Sequence, residues 1–313
     1  MNKKCLYCYK ELLTEGDFHP LCSSQFFGSS QPPVLDFTLD EMAELAKQVA
    51  QSSIAVPGVQ PKLSLSIVKN ILEYEGKARL TILEALGGNY ILKPQNKTFP
   101  QMPENEHLTM KLAELCGILV VPSSLIRLKS GELSYITKRI DRKETGEKIH
   151  MLDMFQILEA YDKYKSSMEK VGKAVEEHSS NTLLDLLRLF EVIIFSYITG
   201  NNDMHLKNFS LILNNEEWGL SPAYDLLNVK LHLPQDTEEM ALTINGKKRK
   251  LTKLEFINLG LKLRLTEKQI LNTFKRFIKV EKKMKQEIQK SFLSTENQAK
   301  YIELLENRLL LFK

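Results

Sequence analysis

Asp203 and Asn208 stand five positions apart in Gly200-Asn201-Asn202-Asp203-Met204-His205-Leu206-Lys207-Asn208, and a second aspartate follows in Ala223-Tyr224-Asp225-Leu226. This set suits phosphoryl transfer from ATP. One carboxylate takes the proton of an attacking hydroxyl, while an amide oxygen and a further carboxylate hold the Mg²⁺ that neutralises the phosphates. Asp203 is the candidate base, and Asn208 and Asp225 are the candidate Mg²⁺ ligands. Asp-x-x-x-x-Asn alone recurs by chance in surface loops. An apolar helix before it, His205 and Lys207 inside it, and Asp225 at hairpin distance make it specific. His205 reads as a hydrogen-bonding neighbour of the site, because Asp203 already fills the role of base.

A phosphate-binding lysine belongs on a strand upstream. Lys93 ends the apolar run Asn89-Tyr90-Ile91-Leu92, where it could reach the α- and β-phosphates and pair with a helix glutamate. Glu106, near the start of the next helix, is its expected partner, ahead of Glu104 and Glu114. The bland alternative is an exposed lysine at a strand end. Gly58-Val59-Gln60-Pro61-Lys62 lies where a phosphate-covering loop belongs, just before the first strand. It lacks the Gly-x-x-x-x-Gly-Lys-Ser/Thr pattern of a P-loop and, taken alone, is a turn.

The elements that must position these residues can be read from periodicity. Thr38-Leu39-Asp40-Glu41 is a capping box opening a helix to about Gln51. Strands are expected at Leu63–Ile67, Arg79–Leu83 and Asn89–Leu92, with Gly87-Gly88 as a turn. Pro103 to Leu115 repeats leucines at helical spacing and ends at Gly117. Further strands are expected at Leu119–Val121, Leu125–Leu128 and Leu133–Thr137, with a hairpin turn at Lys129–Glu132. Beyond Arg139 the pattern is mostly helical. Leu183 to Thr199 is the most apolar helix and should be the core of its lobe. Phe209–Leu213 and Glu217–Leu220 form a short hairpin. Thr252–Glu255 and Thr266–Gln269 are two more capping boxes. The expected class is α+β, two-lobed, with a β-rich N-lobe and an α-rich C-lobe and nucleotide between them. Its parts are a Cys/His segment over residues 1–30, an N-lobe over 31–137, a hinge over 138–142 and a C-lobe over 143–313.

The 313 residues suit two lobes, and 43% hydrophobic residues exclude a disordered chain. No apolar run reaches the ~20 residues of a membrane span. The first residues have no apolar core of a signal peptide, so the expectation is a cytoplasmic protein. A net charge of +4 is too small to argue for direct contact with DNA. Lysines cluster at Lys275–Lys279 and Lys282–Lys285, and read as a solvated helix face. Cys116 falls in a helical pattern as a small core residue. Cys5-x-x-Cys8 and His19-x-x-Cys22 offer the ligand types of tetrahedral zinc across a short loop, Tyr9 to Phe18. A metal-free reduced knuckle is the reading favoured over zinc.

Together these pieces resemble the HipA family of serine/threonine kinase toxins. The resemblance rests on Pro57 to Lys62, Tyr90-Ile91-Leu92-Lys93-Pro94, Asn105-Glu106-His107 and Lys138-Arg139-Ile140-Asp141-Arg142. It continues through Asp153-Met154-Phe155-Gln156, Lys163-Tyr164, Gly200 to Asn208 and Tyr224-Asp225-Leu226. It runs from the cysteine segment to at least Asn228. It implies a kinase fold, ATP and Mg²⁺, with Gly58, Val59, Gln60, Lys62, Lys93, Glu106, His205 and Lys207 around the nucleotide. Lys138 to Ile140 would face adenine, and Gln156 would support that pocket. Full-length members carry a further N-terminal segment, so the start of this chain resembles the shorter HipT branch. There a small HipS protein resembles the missing piece and HipB is the DNA-binding partner. The resemblance further implies an aminoacyl-tRNA synthetase as substrate, with tryptophanyl-tRNA synthetase suspected, so that phosphorylation stalls translation.

The loop before Gly58 carries regulatory serine autophosphorylation in the family. Here it reads Ser52-Ser53-Ile54-Ala55-Val56. Ala55 stands where relatives often have serine, which leaves Ser53 as the first candidate and Ser52 as the second. Added phosphate there would place charge beside the ATP phosphates and could eject the loop. Three competing readings stay open: a small-molecule kinase of similar lobes, a non-catalytic scaffold of a repressor complex, and a pseudokinase. The glycine loop and the cysteine segment speak against the first. The absence of a helix-turn-helix or strong basic stripe speaks against the second, and the intact Lys93, Asp203, Asn208 and Asp225 against the third.

Overall fold

The computed structural model describes residues 3–52, 63–68, 79–82, 88–143 and 145–313. The chain divides into two compact units. The first holds residues 1–107, 121–148 and 290–292. The second holds 108–120, 149–289 and 293–313.

The first unit opens with a turn of paired backbone and a short helix, α1 (Pro20–Phe27). Extended His19 caps it, proline occupies its first position, and Gly28 closes it at φ 77°. The sequence reading missed this helix. Helix α2 (Leu39–Ser52) starts from the expected capping box: Glu41 accepts from the Thr38 backbone N–H at 2.7 Å, and Thr38 Oγ1 accepts from the Glu41 N–H at 3.3 Å.

Five antiparallel strands follow: β1 (Leu63–Val68), β2 (Arg79–Ile82), β3 (Tyr90–Lys93), β4 (Ser123–Arg127) and β5 (Leu133–Lys138). Their order is β2-β1-β3-β5-β4, so β3 lies at the centre. Alternation along β3 sends Tyr90 and Leu92 into a core with Phe26, Phe27, Leu35, Met42, Ile126 and Ile136. Lys93 therefore points to the other face of the sheet. Helix α3 (Met102–Leu115) starts in this unit and ends in the second, stopping before Gly117 at φ 79°.

The second unit is built on α6 (Thr182–Ile198), whose residues from Leu189 to Ile198 are buried, as its apolar sequence requires. Around it come α4 (Met154–Ile157), α5 (Met168–His178), α7 (Lys253–Lys262), α8 (Glu267–Lys290) and α9 (Thr295–Leu310). Aromatic contacts join α6 to this shell: Phe190 lies 6.1 Å from Phe274, and Tyr197 lies 4.8 Å from Phe256. Both predicted capping boxes close, with Thr252 N–H donating to Glu255 at 2.9 Å and Thr266 N–H to Gln269 at 2.9 Å.

A small sheet, β6 (Met151–Asp153), β7 (Ser210–Asn214) and β8 (Glu217–Leu220), contains the expected hairpin. Buried Asp185 on α6 fastens it by accepting from the Leu220 N–H at 2.8 Å and the Ser179 hydroxyl at 2.7 Å. β6 is too short to show alternation and was not foreseen. The expected strand at Leu119–Val121 is, among the described residues, a bridge from Val120 to Ala223 with no neighbour that continues the ladder. Among the described residues no helix is long and apolar enough to cross a membrane.

Candidate active site

Helix α6 delivers the chain to its acidic loop. Gly200 takes φ 70°, and a side chain there would meet Leu304 at 2.9 Å and Asn228 at 3.0 Å, so glycine is required twice over. The Asn201 N–H returns to the Ser196 carbonyl at 2.8 Å. The loop then curls around one carbonyl. Asp203 O accepts from the His205 N–H at 2.8 Å and from Asn208 Nδ2 at 3.0 Å. The second bond fixes the Asn208 amide and directs its nitrogen inward, which leaves Oδ1 as the free ligand atom.

The Asp203 carboxylate is half-buried, and Oδ1 accepts from the Tyr164 hydroxyl at 2.7 Å. Burial, then the hydrogen bond to Asp203 and its charge, raise the Tyr164 phenol, so it stays a proton donor. Its ring stands edge-on to His205, with centroids 5.2 Å apart. Lys163 Nζ donates to His205 Nε2 at 2.9 Å. Burial lowers the His205 pKa, and Lys163 adds to this while Asp203 opposes it. Neutral His205 thus accepts at Nε2 and carries its proton on Nδ1.

Asp225 takes the left-handed conformation at φ 59°. Its neighbour Tyr224 donates to the Lys207 carbonyl at 3.0 Å and is close-bonded to the Ser210 hydroxyl. The Asp225 segment is therefore tied to the short 3₁₀ turn Leu206–Asn208 and to β7. Lys207 Nζ lies 4.7 Å above the Phe155 ring. The Asn208 amide oxygen and the Asp225 carboxylate are the oxygen donor types that suit Mg²⁺, and the Asn208 amide is held by the Asp203 carbonyl.

In the first unit, Lys93 Nζ and Glu106 Oε1 form an ion pair at 2.5 Å, with side chains only 5% and 1% exposed. Lys93 also lies 5.4 Å from the centre of the Tyr135 ring, its register partner on β5. Glu104 turns instead to Gln95 Nε2 at 2.8 Å. Lys138 ends β5 with its ammonium 5.8 Å over Phe26, and Ile140 is half-buried in the turn that follows. Arg139 grips Asp141 at 2.9 and 2.6 Å, which pins that turn. Gln156, in the second unit, closes a capping box with Asp153 on α4, at 3.1 and 2.9 Å.

Gly58, Val59, Gln60, Lys62 and Ser53 lie outside the described residues, while Ser52 is the last residue of α2. Sequence reasoning gave no role to Tyr164 and Lys163, which reach Asp203 and His205 across the fold. Their only signal was the Lys163-Tyr164 pair within the family pattern.

Residues 54–288 match the HipA-like C-terminal domain. A candidate kinase of Haemophilus influenzae is 30% identical over 211 residues, covering 63% of this chain and 59% of that protein. The candidate kinase Y4dM of Sinorhizobium fredii is 29% identical over 276 residues, covering 83% of this chain and 62% of its own. The serine/threonine-protein kinase toxin HipA of Shewanella oneidensis is 26% identical over 214 residues, 61% of this chain and 47% of the toxin. This chain thus spans about half to three-fifths of the length of these relatives.

Among solved structures, the Shewanella oneidensis HipA complex with HipB and operator DNA matches with a TM-score of 0.66 at 19% identity, covering 86% of this chain and 70% of that one. The Helicobacter pylori proinflammatory kinase CtkA matches at 0.54 and 14% identity, covering 80% of this chain and 95% of CtkA. At such identities the likeness is one of fold, a mixture of helix and sheet shared with both proteins. With three-quarters of its residues inside the matched region, the chain belongs to the family of the HipA-like C-terminal domain.

Proposed function

We propose that this chain is an ATP-dependent serine/threonine protein kinase of the HipA toxin type. The observation that carries the reading is the loop in which the backbone carbonyl of Asp203, the proposed base, holds both the His205 N–H and the Asn208 amide. Asp203 Oδ1 is engaged by Tyr164, and Oδ2 is the atom that would accept the proton of a substrate serine. As the serine oxygen bonds to the γ-phosphorus, the bond from phosphorus to the bridging oxygen of ADP breaks, and ADP leaves with the electron pair. Asn208 Oδ1 and Asp225 would hold Mg²⁺, which supplies charge neutralisation on the phosphates. Lys93, oriented by Glu106, would contact the α- and β-phosphates. Gly58 to Lys62 would cover the phosphates, and Lys138 to Ile140 would face adenine.

The finer reading follows the family. The substrate would be an aminoacyl-tRNA synthetase, with the tryptophanyl enzyme first in line, in the cytoplasm where translation occurs. A HipS-like protein and a HipB-like DNA-binding protein would be the partners, as in the HipT branch. The relative solved with HipB and operator DNA supports a HipB-like partner. Autophosphorylation at Ser53, or at Ser52, would restrain activity.

The test is incubation with Mg²⁺ and labelled ATP, alone and with cell extract, followed by phosphosite mapping. Asp203→Ala and Asp225→Ala run alongside. Label on serine in the parent and in neither variant is the expected result. Equal label in all three, or none with extract present, overturns the assignment.

A further inference from the structure

Cys5, Cys8, His19 and Cys22 come from two separate pieces of chain, yet their ligand atoms all lie within 4.8 Å of one another. The first pair sits on a turn closed by the Tyr9 N–H to the Cys5 carbonyl at 3.0 Å, with Tyr9 at φ 62°. The second pair sits at the start of α1, with His19 as its N-cap and Cys22 in its first turn. The Leu6 N–H donates to the Asp17 carbonyl at 2.8 Å and clamps the loop between the pairs. The short loop is thereby reconciled with a closed four-residue cluster.

The imidazole is aimed at the sulfurs. His19 Nε2 lies 3.0 Å from the Glu11 carbonyl oxygen, which can only accept. Nε2 therefore carries the proton, and Nδ1 presents its lone pair to Cys8 Sγ at 3.5 Å and Cys22 Sγ at 3.8 Å. A backbone carbonyl that fixes the tautomer of a histidine is the usual outer support of a metal ligand. Zinc bonds of ~2.3 Å to sulfur and ~2.0 Å to nitrogen, in a tetrahedron, place ligand atoms about 3.5 to 3.8 Å apart. The two spacings from His19 Nδ1 to sulfur match. All three cysteines are free of disulfides.

We propose that Cys5, Cys8, His19 and Cys22 form a structural zinc site, a Cys₃His tetrahedron with no open position. This reverses the metal-free reading favoured from the sequence. The site joins two holds on the first unit. The turn carries Tyr9, whose hydroxyl bonds His107 Nδ1 at 2.9 Å, next to Glu106 on α3. α1 carries Phe26, packed 5.8 Å from Tyr90 on the strand of Lys93. The ion thus ties together the two supports of the Lys93–Glu106 pair. The inference is independent of the kinase reading.

The test is metal analysis of the untagged full chain, with Co²⁺ replacement and Cys22→Ser beside Cys116→Ala. Zinc at a one-to-one ratio is expected, retained in Cys116→Ala and lost in Cys22→Ser. Co²⁺ should give intense tetrahedral bands and thiolate charge transfer on the parent chain, a readout that needs no variant. Hydrogen exchange should rise in β3 and early α3 when zinc is chelated. A chain purified with added zinc that holds none, an octahedral Co²⁺ spectrum, or undiminished zinc in Cys22→Ser overturns the proposal.

Discussion

The Tyr164 hydroxyl donates to Asp203 Oδ1 at 2.7 Å, from the segment just before α5 to the loop just after α6. It holds the proposed base in one rotamer and occupies one of its two oxygens. A hydrogen bond to a charged group contributes about 1.5–3 kcal/mol, and partial exposure puts this one at the low end. Tyr164→Phe should lower phosphotransfer about tenfold. Steady-state rates with labelled ATP check this, and the melting temperature should hardly move.

Lys93 and Glu106 form a pair that is costly to break singly. Removing one partner leaves a buried charge, which costs roughly 3–5 kcal/mol. Lys93→Met and Glu106→Leu should each destabilise the chain by that order. The double substitution should recover much of the loss, because no lone charge remains. Urea denaturation of the four members of this cycle reads the coupling directly, and additive losses would contradict it.

Gly200 should not tolerate a side chain. A non-glycine residue at φ 70° costs roughly 1–2 kcal/mol, and the contacts at 2.9 and 3.0 Å add to it. Gly200→Ala should therefore lower the unfolding midpoint and, by shifting the loop, cut activity more than Tyr164→Phe does. Denaturation and turnover measured on the same preparation check both effects.

Acid should weaken the second unit through His205 and His232. Burial lowers the pKa of both below the ordinary value. The unfolded chain then binds more protons than the folded one below about pH 6.5. Stability is thus full above that value and falls as the pH drops toward the folded pKa values. Urea midpoints at pH 7.5 and 5.5 should show the fall, and His232→Gln should reduce it. NMR titration should place both imidazoles below the unfolded value.

Much of the site could be read from the chain because its determinants are local. The spacing of Asp203 and Asn208 is set by a single turn of backbone. The capping boxes at Thr38, Thr252 and Thr266 each use residues three apart, and the apolar run of α6 announces a buried helix whatever surrounds it. Lys93 and Glu106 can be paired from the sequence because a strand end and the next helix start are close along the chain.

Tertiary structure decided the rest. Tyr164 and Lys163 lie far along the chain from Asp203 and His205, and no periodicity couples a loop tyrosine to a distant carboxylate. β6 is only three residues long and exists because β7 offers it an edge, whereas Leu119–Val121, more apolar, finds no such edge among the described residues and remains a bridge. The cysteine cluster is the sharpest case. The sequence supplied four ligands, three thiols and an imidazole, but no reason to choose zinc over packing. The choice turns on the Glu11 carbonyl, which sets the His19 tautomer, and on a clamp from Leu6 to Asp17 that only the folded backbone can form.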